Sequence, residues 1–309
     1  MRGEHLLEII LNKFPGKVQE NASLDALTTY RVGGPADLIV KLDDEQEIAE
    51  LLQIIKASDL TFVVLGKGSN VLIMDGGIRG VVLLLSDNFK KISYSEEEGG
   101  VLVSVDAAVT IAELMEYCIA YGISGFEFAA GIPGSIGGCV RGNAGTRDGD
   151  FAAAVNWIRL INEQGKIQTI TRANLEYRYR GLQMPGRFVI TTAGLKGQKG
   201  SPEIIKNKIE DIIHWRHSRQ PYDKPSAGSV FKNPEMAPAA KLIDQAGCKG
   251  MRVGGAAISE KHANFIVNEE NATASDILKL IEEVRRRVFE KFQVLLETEI
   301  HILGEGHAK

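Results

Sequence analysis

Cysteine is scarce in this chain: Cys118, Cys139 and Cys248 are odd in number, far apart and without a CxxC spacing. Such a set excludes a disulfide framework and points to a reducing, cytoplasmic compartment. Long apolar runs are missing too, since none approaches the ~18 residues of a membrane-spanning helix. The opening MRGEHLLEIILNKF has Glu4 and His5 ahead of a short apolar stretch and no signal-peptide core. Neither export nor a membrane span is therefore expected. Basic charge is not in excess: 36 Lys and Arg against 40 Asp and Glu leave a net charge of −4. With no basic stripe to neutralise phosphates, no nucleic-acid partner is expected.

Familiar catalytic motifs are absent as well. There is no HExxH, and His214 and His217 stand at i, i+3 without a third ligand, which reads as a surface pair and not a metal site. No serine sits in GxSxG: Ser135 has Pro133 where the first glycine belongs, and Ser229 has Phe231 where the last belongs. Ser229, inside KPSAGSVFKNP (224–234), is therefore not a hydrolase nucleophile. General acid, ligand contact and structure remain open for it.

What is present is ordinary globular composition, 44% hydrophobic and 25% charged, over 309 residues, which suggests two domains. DLIVKL (37–42), a helix over 44–58 and TFVVLG (61–66) give β-α-β order, with a Gly-rich turn at a strand's carboxyl end. Strands follow at 80–85, 90–95 and 101–106, the last two joined by the solvated tip EEEGG. Thr110 and Glu113 form a capping box for a helix ended by Gly122. Residues 125–145 are too glycine-rich for a helix or strand of normal length. Strands at 155–162, 166–171 and 187–195 run up to a boundary marked by Gly197 and Gly200. Ser201 and Pro202 open a long helix with a buried stripe of Ile204, Ile205, Ile209, Ile212 and Ile213. A short helix (239–246), a long one from Ser275 to Phe292 and a closing strand, VLLETEIHIL (294–303), complete the second domain.

The 33 glycines cluster. LGKGSN (65–70) fails GxGxxG at Val71 and fails the Walker pattern at Gly68. Gly66 and Gly68 can still adopt left-handed conformations that aim backbone N–H groups at one anion. GIPGSIGG (131–138) adds Pro133 to stiffen the entry, Ser135 as a donor and Gly137–Gly138 for close backbone approach. Two such loops in one domain point to a large nucleotide held by backbone donors, such as a dinucleotide.

TTYRVGGPAD (28–37), LGKGSNVL (65–72), AGIPGSIGG (130–138), NAG (143–145), YR (179–180), AGSVFKNP (227–234), LIDQAGCKGMRVGGAAIS (242–259) and LETEI (296–300) fall in order along the chain. Together they resemble the UDP-N-acetylenolpyruvoylglucosamine reductase family, flavoenzymes of peptidoglycan precursor synthesis, from about residue 28 to 304. The resemblance implies an α+β fold. A vanillyl-alcohol-oxidase-type FAD-binding domain of two subdomains (28–200) would follow an N-terminal extension (1–27), and a smaller α/β substrate domain (201–309) would close the chain. It also implies non-covalent FAD, NADPH as reductant, a UDP-sugar enolpyruvyl ether as substrate, and a cytoplasmic monomer. FAD would be held by Tyr30, Arg31, Gly66, Lys67, Gly68, Ser69, Asn70, Gly131, Ile132, Pro133, Gly134, Ser135, Gly137, Gly138, Asn143, Ala144 and Gly145. Ser229 would give the proton, Arg180 and Glu299 would stabilise the enolic carboxylate, and Tyr179, Arg219, Lys232 and Asn233 would contact the sugar nucleotide.

The residue types suit that chemistry. Charge developing on a carboxylate and the carbon beside it is met by a guanidinium fork and by a carboxyl that burial keeps protonated. Arg178 and Glu297 are the sequence neighbours that could take the places of Arg180 and Glu299, and Arg285–Arg287 read as a solvated helix face. YRGL stands for the family's usual Tyr-Arg-x-Ser, NAGTRDG lacks an aromatic, and His301 occupies a position where arginine is common. Only 48 residues separate Arg180 from Ser229, as in the shorter subclass without a tyrosine-bearing loop. Two other readings are an oxidase of the same fold, with FAD tethered through Cys139, and a non-catalytic nucleotide sensor. The sensor has no use for Ser229, Arg180 and Glu299 together.

Overall fold

Alternation in VLVSVD becomes a half-buried strand in the computed structural model, which describes residues 2–58 and 60–306, with side chains from residue 7 onward. Gly100–Asp106 buries Val101, Val103 and Val105 and leaves the residues between them partly exposed. It lies in an antiparallel sheet of order Ile167–Thr171, Val155–Asn162, Phe188–Lys199, Gly100–Asp106, Ile92–Glu97, with Ile123–Ser124 on the far end of Phe188–Lys199. That long strand continues through Gly197, where an end was expected. A Cβ at Gly197 would come within 2.8 Å of the Ser124 carbonyl oxygen, so glycine there admits the short strand instead of ending the long one. Helix Ile111–Tyr121 packs on this sheet; its Thr110–Glu113 capping box forms, and Gly122 closes it at φ 62°. A cap of this kind is worth about 1 kcal/mol.

Packing divides the chain into two units. The first comprises Met1–Gln19, Leu38–Gly66 and Gly80–Trp215; the second comprises Glu20–Asp37, Lys67–Arg79 and Arg216–Lys309. The first unit has two buried cores: the antiparallel sheet's core, around Val103, Leu114, Ile136 and Leu195, and a second around Leu42, Leu52, Phe62 and Leu83. The second core belongs to a sheet of order Val18–Ser23, Pro35–Leu42, Ile78–Leu85, Phe62–Val64. Phe62–Val64 pairs parallel with Ile78–Leu85, so the β-α-β crossover through helix Glu45–Ala57 skips one strand. A part-buried network joins the two halves of this unit: Arg159 forks onto Glu45 at 2.7 Å, and Thr191 donates to the same carboxylate. The guanidinium holds the Glu45 carboxyl below its usual pKa.

The line expected after residue 200 differs from the packing division at Trp215/Arg216. Most of helix Pro202–Arg219 belongs with the first unit because Ile205 and Ile209 are buried in its core. Ile204 lies off that stripe and is 69% exposed, unlike the expectation, while Ile212 and Ile213 are half-buried. The glycine-rich stretch also holds a short helix, Ile136–Arg141.

In the second unit, helix Ala274–Phe292 buries Ile277, Leu280, Ile281, Val284 and Val288 against a core shared with strands Ala256–Ile258 and Ile266–Asn268. Its start is fixed twice: by a Thr273–Asp276 capping box, and by Asp75, whose carboxylate accepts from Ala274 N and Ser275 N. The closing strand is shorter than expected. Only His301–Leu303 is strand, parallel to Val71–Ile73, and residues 294–300 make one isolated bridge, Thr298 to Phe231. Their neighbour is the Ser229 segment, which Pro234 stops before a ladder can form. Among the described residues, no helix is long and apolar enough to cross a membrane.

Candidate active site

In the first unit the glycine loops approach each other at Gly66 and Ser135. A Cβ on Gly66 would lie 2.5 Å from Ser135 Oγ, so any larger residue there must displace that hydroxyl. Ser135 is buried, and its hydroxyl makes no capping bond to the helix it precedes. Gly131 is left-handed (φ 75°). Gly137 serves packing, its amide bonding Ala107 O at 2.9 Å. Ile132 is half-buried, Pro133 and Gly138 are exposed, and Gly134 is buried. Cys139 is buried, and burial pushes its thiol up to about 12. A thiol held protonated is a poor nucleophile, which weighs against a covalent tether there.

The NAG and YR segments are tied together in the same unit. Tyr179 and Arg180 form the two-residue turn of a hairpin in which Arg178 pairs with Gly181. Arg180 has φ 60° and donates from Nη1 to Gly145 O at 3.0 Å, and its guanidinium lies 5.2 Å from the exposed Tyr179 ring. A left-handed arginine in a turn is strained by roughly 1–2 kcal/mol, the kind of strain that collects at functional sites. Arg178 is exposed and pairs with Glu176 at 3.2 Å. Asn143, also left-handed (φ 44°), uses its buried amide internally, donating to Arg178 O at 3.3 Å and accepting from Ala152 N at 2.9 Å. Ala144 and Gly145 are half-buried beside it.

In the second unit Ser229 follows Gly228, whose φ of 75° turns the chain. Beyond it, Val230 O accepts from Glu299 N at 2.7 Å, and Lys232 N donates to Glu297 O at 2.9 Å. Ser229 and Glu299 are thus carried on neighbouring segments, both half-buried. Asn70 joins them, its side chain donating to Glu299 O at 3.3 Å and its carbonyl accepting from His301 N at 3.0 Å. Glu297 and Glu299, two apart on an extended chain, differ in setting: the Glu297 side chain is 74% exposed and pairs with Lys232 at 3.1 Å. Asn233 accepts from Ala239 N at 2.9 Å, and Arg219 is the exposed last residue of its helix. Gly68, not Gly66, is the left-handed glycine of LGKGSN (φ 60°), with Thr29 N donating to its carbonyl. Lys67 is exposed and Ser69 half-buried; Arg31 is exposed and left-handed (φ 54°). Tyr30 is fully buried with no hydrogen-bond partner for its hydroxyl, and burial raises its pKa.

A residue that sequence reading passes over completes this frame. Asn264 is buried and bonds both backbone groups of Phe231, accepting from its N–H at 2.9 Å and donating to its carbonyl at 2.8 Å. Nothing in EKHANF signals this, because the partner lies 33 residues earlier.

Residues 220–303 match the family described as UDP-N-acetylenolpyruvoylglucosamine reductase, C-terminal domain, and residues 36–171 match a FAD binding domain family. The UDP-N-acetylenolpyruvoylglucosamine reductase of Lachnoclostridium phytofermentans is 43% identical over 94% of both chains. That of Syntrophus aciditrophicus is 40% identical over 94% of this chain and 93% of its own. The chain belongs to the UDP-N-acetylenolpyruvoylglucosamine reductase family. The crystal structure of UDP-N-acetylenolpyruvylglucosamine reductase from Thermus caldophilus superposes with a TM-score of 0.79 at 33% identity, covering 93% of this chain and 99% of that one. The glucose dehydrogenase Phl p 4.0202, 14% identical with a TM-score of 0.51, covers 74% of this chain and 52% of that one, and shares the fold alone. The α+β architecture, a FAD-binding domain followed by the family's C-terminal domain, is thereby established.

A reductase of this family needs a place for FAD, and the residues present fit one. Within the first unit, the Gly66–Ser135 approach leaves backbone and one uncommitted hydroxyl facing each other. Gly66→Ala is accordingly expected to purify with much less flavin per protein, read from the absorbance ratio after gel filtration. Full retention would show that the Ser135 hydroxyl takes no part in holding flavin. Among the described residues, no group of three or more His, Cys, Asp or Glu could hold a metal ion.

Proposed function

We propose that this protein reduces UDP-N-acetylglucosamine enolpyruvate to UDP-N-acetylmuramate with NADPH, acting as a cytoplasmic monomer. The reading is supported above all by the hydrogen bond from Glu299 N to Val230 O, 2.7 Å, which sets a carboxyl-bearing segment against the one carrying Ser229. FAD bound there would supply the two-electron chemistry between the nicotinamide and the substrate's methylene carbon. The residues proposed to hold it are the glycine loops at 66–70 and 131–138, the NAG loop, and Tyr30 and Arg31.

Overall, one hydride and one proton add across the enol ether's carbon–carbon double bond, and NADPH becomes NADP⁺. Ser229 gives the proton to the carbon beside the carboxylate and recovers one from water. Serine is a weak acid, so this transfer requires a developing carbanion within hydrogen-bond reach. Arg180 forks onto the substrate carboxylate, where charge accumulates. Glu299 donates to the same group while protonated. Tyr179, Arg219, Lys232 and Asn233 contact the sugar nucleotide. In this reading residues 28–200 hold the cofactor and 201–309 the substrate.

The test is anaerobic. The yellow protein should bleach with NADPH, and its colour should return when the enolpyruvyl substrate is added. Recovery with oxygen but not with substrate would replace the reading by an oxidase. Within it, Glu299→Gln should cut turnover strongly, because an amide N–H donates far more weakly than a carboxyl O–H to the charge that develops in the transition state. Glu297→Gln loses only an exposed ion pair, worth about 0–1 kcal/mol, and should turn over normally. Equal small effects in steady-state kinetics would make the closing segment structural only.

A further inference from the structure

Resting on the proton-donor reading of Ser229, we infer that Asn264 is a positioning residue for that proton transfer, acting through the backbone of Phe231. The Ser229 segment is too short for a ladder, and Pro234 stops it. It is nevertheless held on two sides. On one, Glu299 N bonds Val230 O and Lys232 N bonds Glu297 O. On the other, the Asn264 carbonyl accepts from Val230 N at 2.8 Å, and its side-chain amide bonds both the N–H and the C=O of Phe231. The side chain does the work of one peptide unit of a neighbouring strand.

Only asparagine matches this pattern. A primary amide has one acceptor and a donor fork at the span of a peptide group. Aspartate keeps the acceptor but loses the donor and leaves the Phe231 carbonyl facing a carboxylate. Glutamine is one methylene too long for a site where Asn264 is 4% exposed and Phe231 2% exposed. The amide is in turn fixed by its own loop: Ser259 N bonds Phe265 O at 2.9 Å, and Ser259 Oγ accepts from Lys261 N at 3.2 Å. Phe231 lies two residues from Ser229, and the Val230 peptide between them is the one that also bonds Glu299. Loosening Phe231 therefore shifts the hydroxyl against the carboxyl while removing no side chain proposed to hold FAD.

The experiment compares wild type, Asn264→Ala, Asn264→Asp, Ser229→Ala and the Ser229→Ala/Asn264→Ala double variant as FAD-loaded proteins. Anaerobic stopped-flow, normalised to flavin, separates reduction by NADPH from reoxidation by the enolpyruvyl substrate. Backbone hydrogen exchange reads the Phe231 amide, and calorimetric titration gives substrate affinity. Asn264→Ala and Asn264→Asp should be reduced at the wild-type rate and bind substrate normally. They should reoxidise on the order of 10²-fold more slowly, as expected for a small misplacement of a reacting group. Phe231 should lose protection. In the Ser229→Ala background, Asn264→Ala should add no further slowing, since it acts only through that hydroxyl. Wild-type reoxidation in both Asn264 variants, or undiminished slowing in the double variant, would overturn the inference and leave the proton-donor reading standing. Unchanged reoxidation in Ser229→Ala alone would sink the reading itself, and the inference with it. If Asn264→Ala does not fold, Asn264→Asp, which keeps shape and acceptor, decides.

Discussion

Ser229→Ala is expected to fold, bind FAD and accept electrons from NADPH at the normal rate, yet to return them to the substrate on the order of 10²–10⁴-fold more slowly, the usual loss for a positioned acid. The frame around it supports the first half of that outcome. Gly228 makes the turn, and Val230 and Phe231 carry the hydrogen bonds to Asn264 and Glu299, so among the described residues the hydroxyl itself anchors no element. The deficit should fall on kcat more than on substrate affinity, because the proton moves only in the transition state. Ser229→Cys, which also has a proton to give, should recover part of the rate. Stopped-flow reoxidation as fast as wild type in the alanine variant would reduce Ser229 to a turn residue.

Arg180 offers a second large effect, one that separates activity from stability. Its φ of 60° suits glycine far better than arginine. Arg180→Gly and Arg180→Ala both lose the bond to Gly145 O and the packing on Tyr179, but only the glycine relieves the strain. The glycine variant should therefore be more stable than the alanine variant by roughly 1 kcal/mol, measured by denaturant unfolding of each. Turnover should fall in both on the order of 10²–10³-fold, as when an oxyanion-stabilising donor is removed. Arg180→Lys should keep flavin and its reduction but still slow turnover, since an ammonium keeps the charge and loses the fork. An alanine variant as stable as the glycine one would deny the strain. Normal turnover in Arg180→Lys would deny the bidentate role.

Much of this molecule follows from local rules acting over a few residues. The Thr110–Glu113 capping box, the left-handed Gly122 and the alternation of Val101, Val103 and Val105 formed as the sequence implies, because each depends on neighbours within about one turn or one pleat. The motif order was enough to point to the family, because it samples most of the chain. Tertiary structure decided the rest. It assigned helix Pro202–Arg219 largely to the first unit through Ile205 and Ile209, and exposed Ile204 one residue away. It separated Glu297, paired with Lys232 at the surface, from Glu299, though both lie on the same alternation. It committed the Asn143 amide to Arg178 and Ala152, and the Asn264 amide to Phe231. Those bonds link residues 9 to 35 positions apart, and no local pattern encodes such partners. An amide's donors and acceptor are satisfied by whichever backbone the topology brings within 3 Å or so, and that choice is made only once the chain has folded.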